Sequence, residues 1–154
     1  MAQRVRGIDE IVQVAGSFRA DRKLAKGTLD VGELMLPAEF DQDGDRLAVT
    51  QSFGLRMSPH PASEGSEAAP VLEVLATYRI VYRLDNAAAA PVPVLLQFAS
   101  VNARFNLTAY WREYLHTCCC RIGVPPMVVP PFNAAAAIDA LKGLSVGSES
   151  ASSS

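Results

Sequence analysis

The stretch NARFNLTAYWREYLHTCCCRIGVPPMVVPPFN, residues 102–133, decides how this chain is read. Its first two thirds carry helical spacing. Trp111, Leu115, Cys118 and Ile122 recur at i, i+4, i+7 and i+11 and make one apolar face. Tyr110 and Tyr114 form a second stripe about 100° away. Arg112 and Glu113 lie opposite, with His116 one turn beyond Arg112. Two Pro-Pro pairs follow, 125–126 and 130–131, and bracket Met127, Val128 and Val129. A proline pair removes two backbone donors and holds the preceding residue extended. The helix is therefore expected to stop near Gly123 and to continue as an apolar, extended arm. Such an arm cannot join a central strand, so it must lie against its own protein or a partner. An arm of this kind presents apolar grooves, which points to binding more than to catalysis.

Upstream, the spacing changes from helical to period two. Residues 46–57 put Leu47, Val49, Gln51, Phe53, Leu55 and Met57 on one side, an alternation broken only by Gln51. In residues 71–84, Tyr78, Ile80, Tyr82 and Leu84 alternate with Thr77, Arg79, Val81 and Arg83. Residues 28–36 form a third strand candidate, with Leu29, Val31 and Glu33 on one face. Residues 1–23 mix charge with the run Ile11-Val12-Gln13-Val14, which fits a helical turn or a first strand, with strand preferred. Residues 41–45 read as a turn in which Gly44 is free to take positive φ, and residues 58–70 as a solvent loop. Hairpin connections of this sort predict an antiparallel meander or Greek-key-like sheet.

Beyond residue 86 a linker over 87–93 leads to a short helix over 94–103, striped by Leu95, Phe98, Ala99 and Asn102. Asn106 or Thr108 is the expected N-cap of the longer helix. A last helix is expected over 134–141, and residues 142–154 have the composition of a disordered tail. One α+β domain over residues 1–141 is the resulting expectation.

The chain of 154 residues is long enough to bury roughly two thirds of its unfolded surface. A net charge of -2 gives no electrostatic reason to expect nucleic acid or an anionic membrane as a partner. No run of about 20 apolar residues predicts membrane insertion, and the first ten residues lack the apolar core of a secretory signal. The expected location is the cytoplasm. Cys118, Cys119 and Cys120 are sequence neighbours, so on a helix they point about 100° apart and cannot converge on a metal or pair with one another. One or two of them read as buried small apolar side chains.

Other motifs fall to simpler readings. Asp41, Asp43 and Asp45 suggest a calcium loop, yet the twelfth position holds Ser52 where a carboxylate is needed. Asn106-Leu107-Thr108 matches a glycosylation sequon but reads better as a helix cap. His60 and His116 have no nucleophile placed beside them. There is no phosphate-binding glycine loop and no nucleophile elbow. No catalytic residue, metal or cofactor is expected.

The order of strands, then a short helix, then Tyr110-Trp111-Arg112-Glu113-Tyr114, then residues 123–133 resembles the SecB family of export chaperones. The likeness spans residues 102–140 most closely and carries over Tyr110, Arg112, Glu113, Pro125, Pro126, Pro130 and Asn133, which in that family shape the helix and the arm beside the client groove. Residue 109 is Ala where the family has Pro. The resemblance implies a four-stranded antiparallel sheet with helices on one face, assembled into homotetramers as dimers of dimers. It implies an ATP-independent holdase for unfolded preproteins, with the preprotein translocase motor as a partner, or one dedicated client such as an antitoxin. Motor-docking members use a strongly acidic sheet surface, and this chain is only mildly acidic. One helix layer cannot cover both faces of a four-stranded sheet, so part of the apolar set must face a subunit or a client. The expected client-binding residues are Phe53, Leu55, Met57, Tyr78, Ile80, Tyr82, Tyr110, Trp111, Met127, Val129 and Phe132.

Overall fold

Period-two alternation builds the sheet. The computed structural model describes residues 5–21, 29–59, 69–85, 91–129, 132 and 133. Among them five strands form: β1 (Val5–Ala20), β2 (Leu29–Met35), β3 (Glu39–Asp43), β4 (Arg46–Pro59) and β5 (Leu72–Leu84). All pairs are antiparallel, in the order β1-β5-β4-β2, with β3 also on β4. The first strand therefore closes against the last, a Greek-key order and not a plain meander. β4 buries Leu47, Val49, Gln51, Phe53 and Leu55, and β5 buries Leu72, Val74, Ala76, Tyr78, Ile80, Tyr82 and Leu84. The run at 11–14 is strand, as preferred, within a β1 of 16 residues.

β3 is the strand that composition hides. Glu39-Phe40-Asp41-Gln42-Asp43 has poor strand propensity, yet Gly44 at φ 58° turns it back onto β4. β2 and β3 share one edge of β4, and between them residues 36–38 oppose only residues 51 and 52. This bulge suits Pro37, which has no donor for the ladder. Gln51, the polar break in the alternation, mends it from inside the core. Its Nε2 donates to the Leu36 carbonyl at 2.8 Å and the Ser52 carbonyl at 2.9 Å.

The helical region departs from expectation in its start, its continuity and its caps. α1 (Val92–Phe98), a π-helical turn (Ala99–Ala103) and α2 (Arg104–Ile122) follow without a break, so Val92 and Pro93 belong to helix and not to a linker. Pro93 sits in the first turn, where no intrahelical donor is needed. Asn106 and Thr108 do not cap. Asn106 donates to the Tyr82 hydroxyl at 3.0 Å, and the Thr108 hydroxyl donates back to the Arg104 carbonyl at 2.7 Å. The π turn has a geometric reason. Leu95, Ala99, Ala103, Leu107, Trp111, Leu115 and Cys119 are all buried at a strict spacing of four. Four residues overshoot one α-turn by about 40°, so such a stripe drifts away from the sheet unless a wider turn resets it. Gly123 ends the helix at φ 72°, its N–H reaching the Cys119 and Cys120 carbonyls. No helix among the described residues is long and apolar enough to cross a membrane. His60, the helix expected over 134–141 and the tail over 142–154 lie outside the described residues.

A helix about 10–12 Å wide cannot roof four strands spaced about 4.8 Å apart. This one sits on the central pair, with Phe53 of β4 stacked on Trp111 and Tyr82 of β5 edge-on to Phe98. The edge strands protrude. Val31 of β2 faces the helix side, in register with Met57, yet is 54% exposed.

The buried phenols make alkaline pH a test of this packing. Burial lifts Tyr78 to about 12, with Tyr114, Glu113 and Cys118 adding to the rise. Burial also lifts Tyr82 to about 12 against the opposing Asn106 hydrogen bond. An unfolded tyrosine ionises near about 10, so this stability is whole below that pH and is lost as pH rises toward 12. Urea midpoints should hold up to pH 10 and fall between 10 and 12, less steeply in Tyr82→Phe.

Candidate functional site

The uncovered flanks of the sheet become two trenches, one on each side of α2. The first, a cavity of about 210 Å³, lies on the β2 side. Its floor comes from Glu33, Leu34, Phe53 and Gly54. Arg104, Thr108 and Trp111, each about one helical turn from the next on α2, form the inner wall. The arm supplies the outer wall through Val129, Phe132 and Asn133. The prolines explain why the arm stands there. Residues 124–129 have no regular structure, and burial alternates along the last three: Met127 half-buried, Val128 exposed, Val129 buried. Trp111 is the keystone, its ring 5.8 Å from Phe53 and 15° from parallel. The Phe132 ring lies 5.8 Å from the Arg104 guanidinium carbon, a cation–π distance.

The second trench, about 380 Å³, lies on the β1 side and is more polar at its rim. Ile11 and Gln13 of β1 face Tyr110, Glu113, Tyr114, Thr117, Cys118 and Arg121 of α2 across Tyr78. The Tyr78 hydroxyl donates to the Tyr110 carbonyl at 3.1 Å and ties β5 to the helix. Burial raises the pKa of both the Tyr114 phenol and the Cys118 thiol. The Cys118 thiol therefore stays protonated at neutral pH and is a poor nucleophile. Cys118 and Cys119 are buried as small apolar packing residues, and Cys120 is exposed. Among the described residues no three His, Cys, Asp or Glu side chains stand close enough to hold a metal ion.

The expected client-binding residues divide three ways. Phe53, Trp111, Val129 and Phe132 meet in the first trench, and Tyr78 and Tyr110 in the second. Met57 and Met127 are half-buried and pack against the margin of the core. Leu55, Ile80 and Tyr82 lie beneath the helix at 3%, 0% and 1% exposure and reach neither trench. Sequence reasoning missed Leu34, Gly54, Arg104 and Thr108, and the whole β1 contribution. Arg104 and Thr108 follow from Trp111 by helical spacing. The β1 residues had no signal, because their place depends on a sheet order that pairs Ile11 with Ile80 and Gln13 with Tyr78, far apart in sequence.

No protein-family model matches the sequence, and no curated protein does. A solved structure does share the fold, the SecB-like chaperone Rv1957 of Mycobacterium tuberculosis in complex with a ChAD peptide from the Rv1956 HigA1 antitoxin. The two chains are 20% identical, with a TM-score of 0.68, and the match covers 86% of this chain and 92% of the other. The α+β architecture, an antiparallel sheet carrying one helix on one face, is thus a fold shared with that chaperone.

The trench residues differ in how much fold they carry. Trp111, only 4% exposed, should cost about 3–5 kcal/mol on truncation to Ala. Phe132→Ala, on the arm, should cost about 1 kcal/mol or less. Urea unfolding of the two variants checks the difference.

Proposed function

We propose that this chain is a SecB-like molecular chaperone, a holdase that keeps polypeptide unfolded without consuming ATP. The observation that carries this reading is the open apolar trench between Trp111, the arm and the uncovered flank of β2. The shared fold with a SecB-like chaperone that was solved holding an antitoxin peptide supports it. Foreign chain in extended form suits the site. The outer edge of β2 has no partner strand among the described residues, so a client can add main-chain hydrogen bonds there. Its alternate side chains then enter the trench against Phe53, Trp111, Val129 and Phe132. The second trench offers Tyr78 and Tyr110 to a longer segment. Met57 and Met127 stand at the margins, where flexible thioethers adapt to different side chains. Leu55, Ile80 and Tyr82 support these surfaces from below.

Each buried client side chain contributes only about 1.5–3 kcal/mol, so useful affinity requires several contacts on one client. Assembly into a homotetramer, a dimer of dimers, multiplies them through effective concentration. The exposed apolar residues of β1 (Ile8, Val12, Val14 and Phe18) and of the helical segments (Val92, Leu96 and Phe105) support such an assembly. The reading extends to work in the cytoplasm, to support of protein export, and to delivery of preproteins to the translocase motor. A second reading is a chaperone or adaptor with one dedicated partner, as an antitoxin is; the antitoxin peptide held by the neighbouring fold favours it. In neither reading does the chain act as an enzyme.

Dilution of a chemically unfolded test protein into an equimolar amount of this chaperone should suppress light scattering, equally with and without ATP. Val31→Asp, which charges the open flank of β2, should weaken suppression several-fold while leaving the urea midpoint nearly unchanged. No suppression by the wild-type chain would discard the holdase reading. Co-purification with one stoichiometric protein on a native mass spectrum would favour the dedicated-partner reading, and the same spectrum reads the tetramer.

A further inference from the structure

Side chains hold the arm against the body. The Val124 N–H donates to the Cys119 carbonyl at 3.0 Å, and beyond it residues 125–129 make no backbone–backbone hydrogen bond among the described residues. Buried Val129 and half-buried Met127 fix the near part of the arm. Beyond the second proline pair Phe132 is half-buried, its ring 5.8 Å from the Arg104 guanidinium carbon. Arg104 is committed to that ring. Its Nε is shielded from solvent and has no hydrogen-bond partner, and no ion pair among the described residues engages it. Glu33 lines the same trench but is exposed and makes no ion pair with it. Burial lowers the Arg104 pKa, yet a guanidinium stays charged at neutral pH. A shielded donor costs free energy, and the face of Phe132 is the attraction that offsets it.

We propose that Arg104 and Phe132 are positioning residues that latch the arm onto α2, and that this contact sets how slowly the first trench releases an extended apolar client. The inference rests on the holdase reading and concerns the positioning of that same site. The pair joins the inner wall, with Thr108 and Trp111, to the outer wall, with Val129. Losing either member frees the far end of the arm, and the outer wall then grips a client less firmly. The loss falls on release more than on capture, since capture needs only an open trench.

Trp111 is the single tryptophan of the chain and lines the inner wall, so its emission reports occupancy. Stopped-flow release of a tryptophan-free, end-blocked apolar peptide, flanked by serines and carrying an acceptor dye, tests the latch. Arg104→Met keeps the stem without the charge, and Phe132→Leu keeps apolar bulk without the ring. Each should speed release about three- to tenfold and leave association nearly unchanged. The double variant should release no faster than either single one. Arg104→Lys should keep most of the slow release, because an ammonium also binds a ring face. Wild-type release in Arg104→Met, effects that multiply in the double variant, or equal release from the Lys and Met variants overturns the latch and leaves the holdase reading standing. Should Arg104→Met fail to fold, Phe132→Leu decides: unchanged release overturns the latch. Failure of the wild-type chain to bind the peptide overturns the latch and the holdase reading together.

Discussion

Trp111 stacked on Phe53 seats a single helix on the two central strands of a wider sheet, and the two trenches follow from that seating. Helix and sheet are mismatched in width by elementary geometry. The mismatch leaves apolar side chains of β1 and β2 on the helix side of the sheet but outside the helix footprint. An ordinary domain would add a second helix on each flank. Here the prolines after Gly123 send out an extended ribbon that roofs one flank only in part, with Val129 pinned and Val128 open.

The same seating demands strictness along its length. Seven residues at a spacing of four must stay on the sheet, and two of them, Ala99 and Ala103, are small and wholly buried. A regular α-helix cannot keep that stripe aligned, and the π turn resets it at the point where the side chains are smallest. Polar groups are fitted to the seam without breaking it. The Tyr78 and Tyr82 hydroxyls and Asn106 bond across the helix–sheet interface, while Gln51 closes the bulge at Pro37. The interface is thus rigid at its centre and open at its margins.

Much of this was readable in residue order. Alternation in residues 46–57 and 71–84 marked the central strands, because burial on one face leaves a period of two. The Pro-Pro pairs marked the helix end and the extended arm, since missing donors act locally. The first trench was legible where it lies on those elements, at Phe53, Trp111, Val129 and Phe132. Three features were not legible, for separate reasons. β3 is acidic and forms only because Gly44 folds it onto β4, so tertiary pairing overrides its propensity. Helix continuity through Asn106 and Thr108 depends on partners, Tyr82 and the Arg104 carbonyl, that make cap-forming residues comfortable inside a helix. Assigning Ile80 and Tyr82 to the core, and β1 to the wall of the second trench, needs the sheet order, which no local pattern encodes.

Hydrogen–deuterium exchange with and without a bound unfolded client tests most directly the claim that client chain lies in the uncovered flank. The account predicts new protection at the backbone amides of β2 and at residues 124, 127, 128 and 129 of the arm, with β5 unchanged beneath the helix. Protection confined to the face of the sheet away from the helix, or absent from both β2 and the arm, would contradict it.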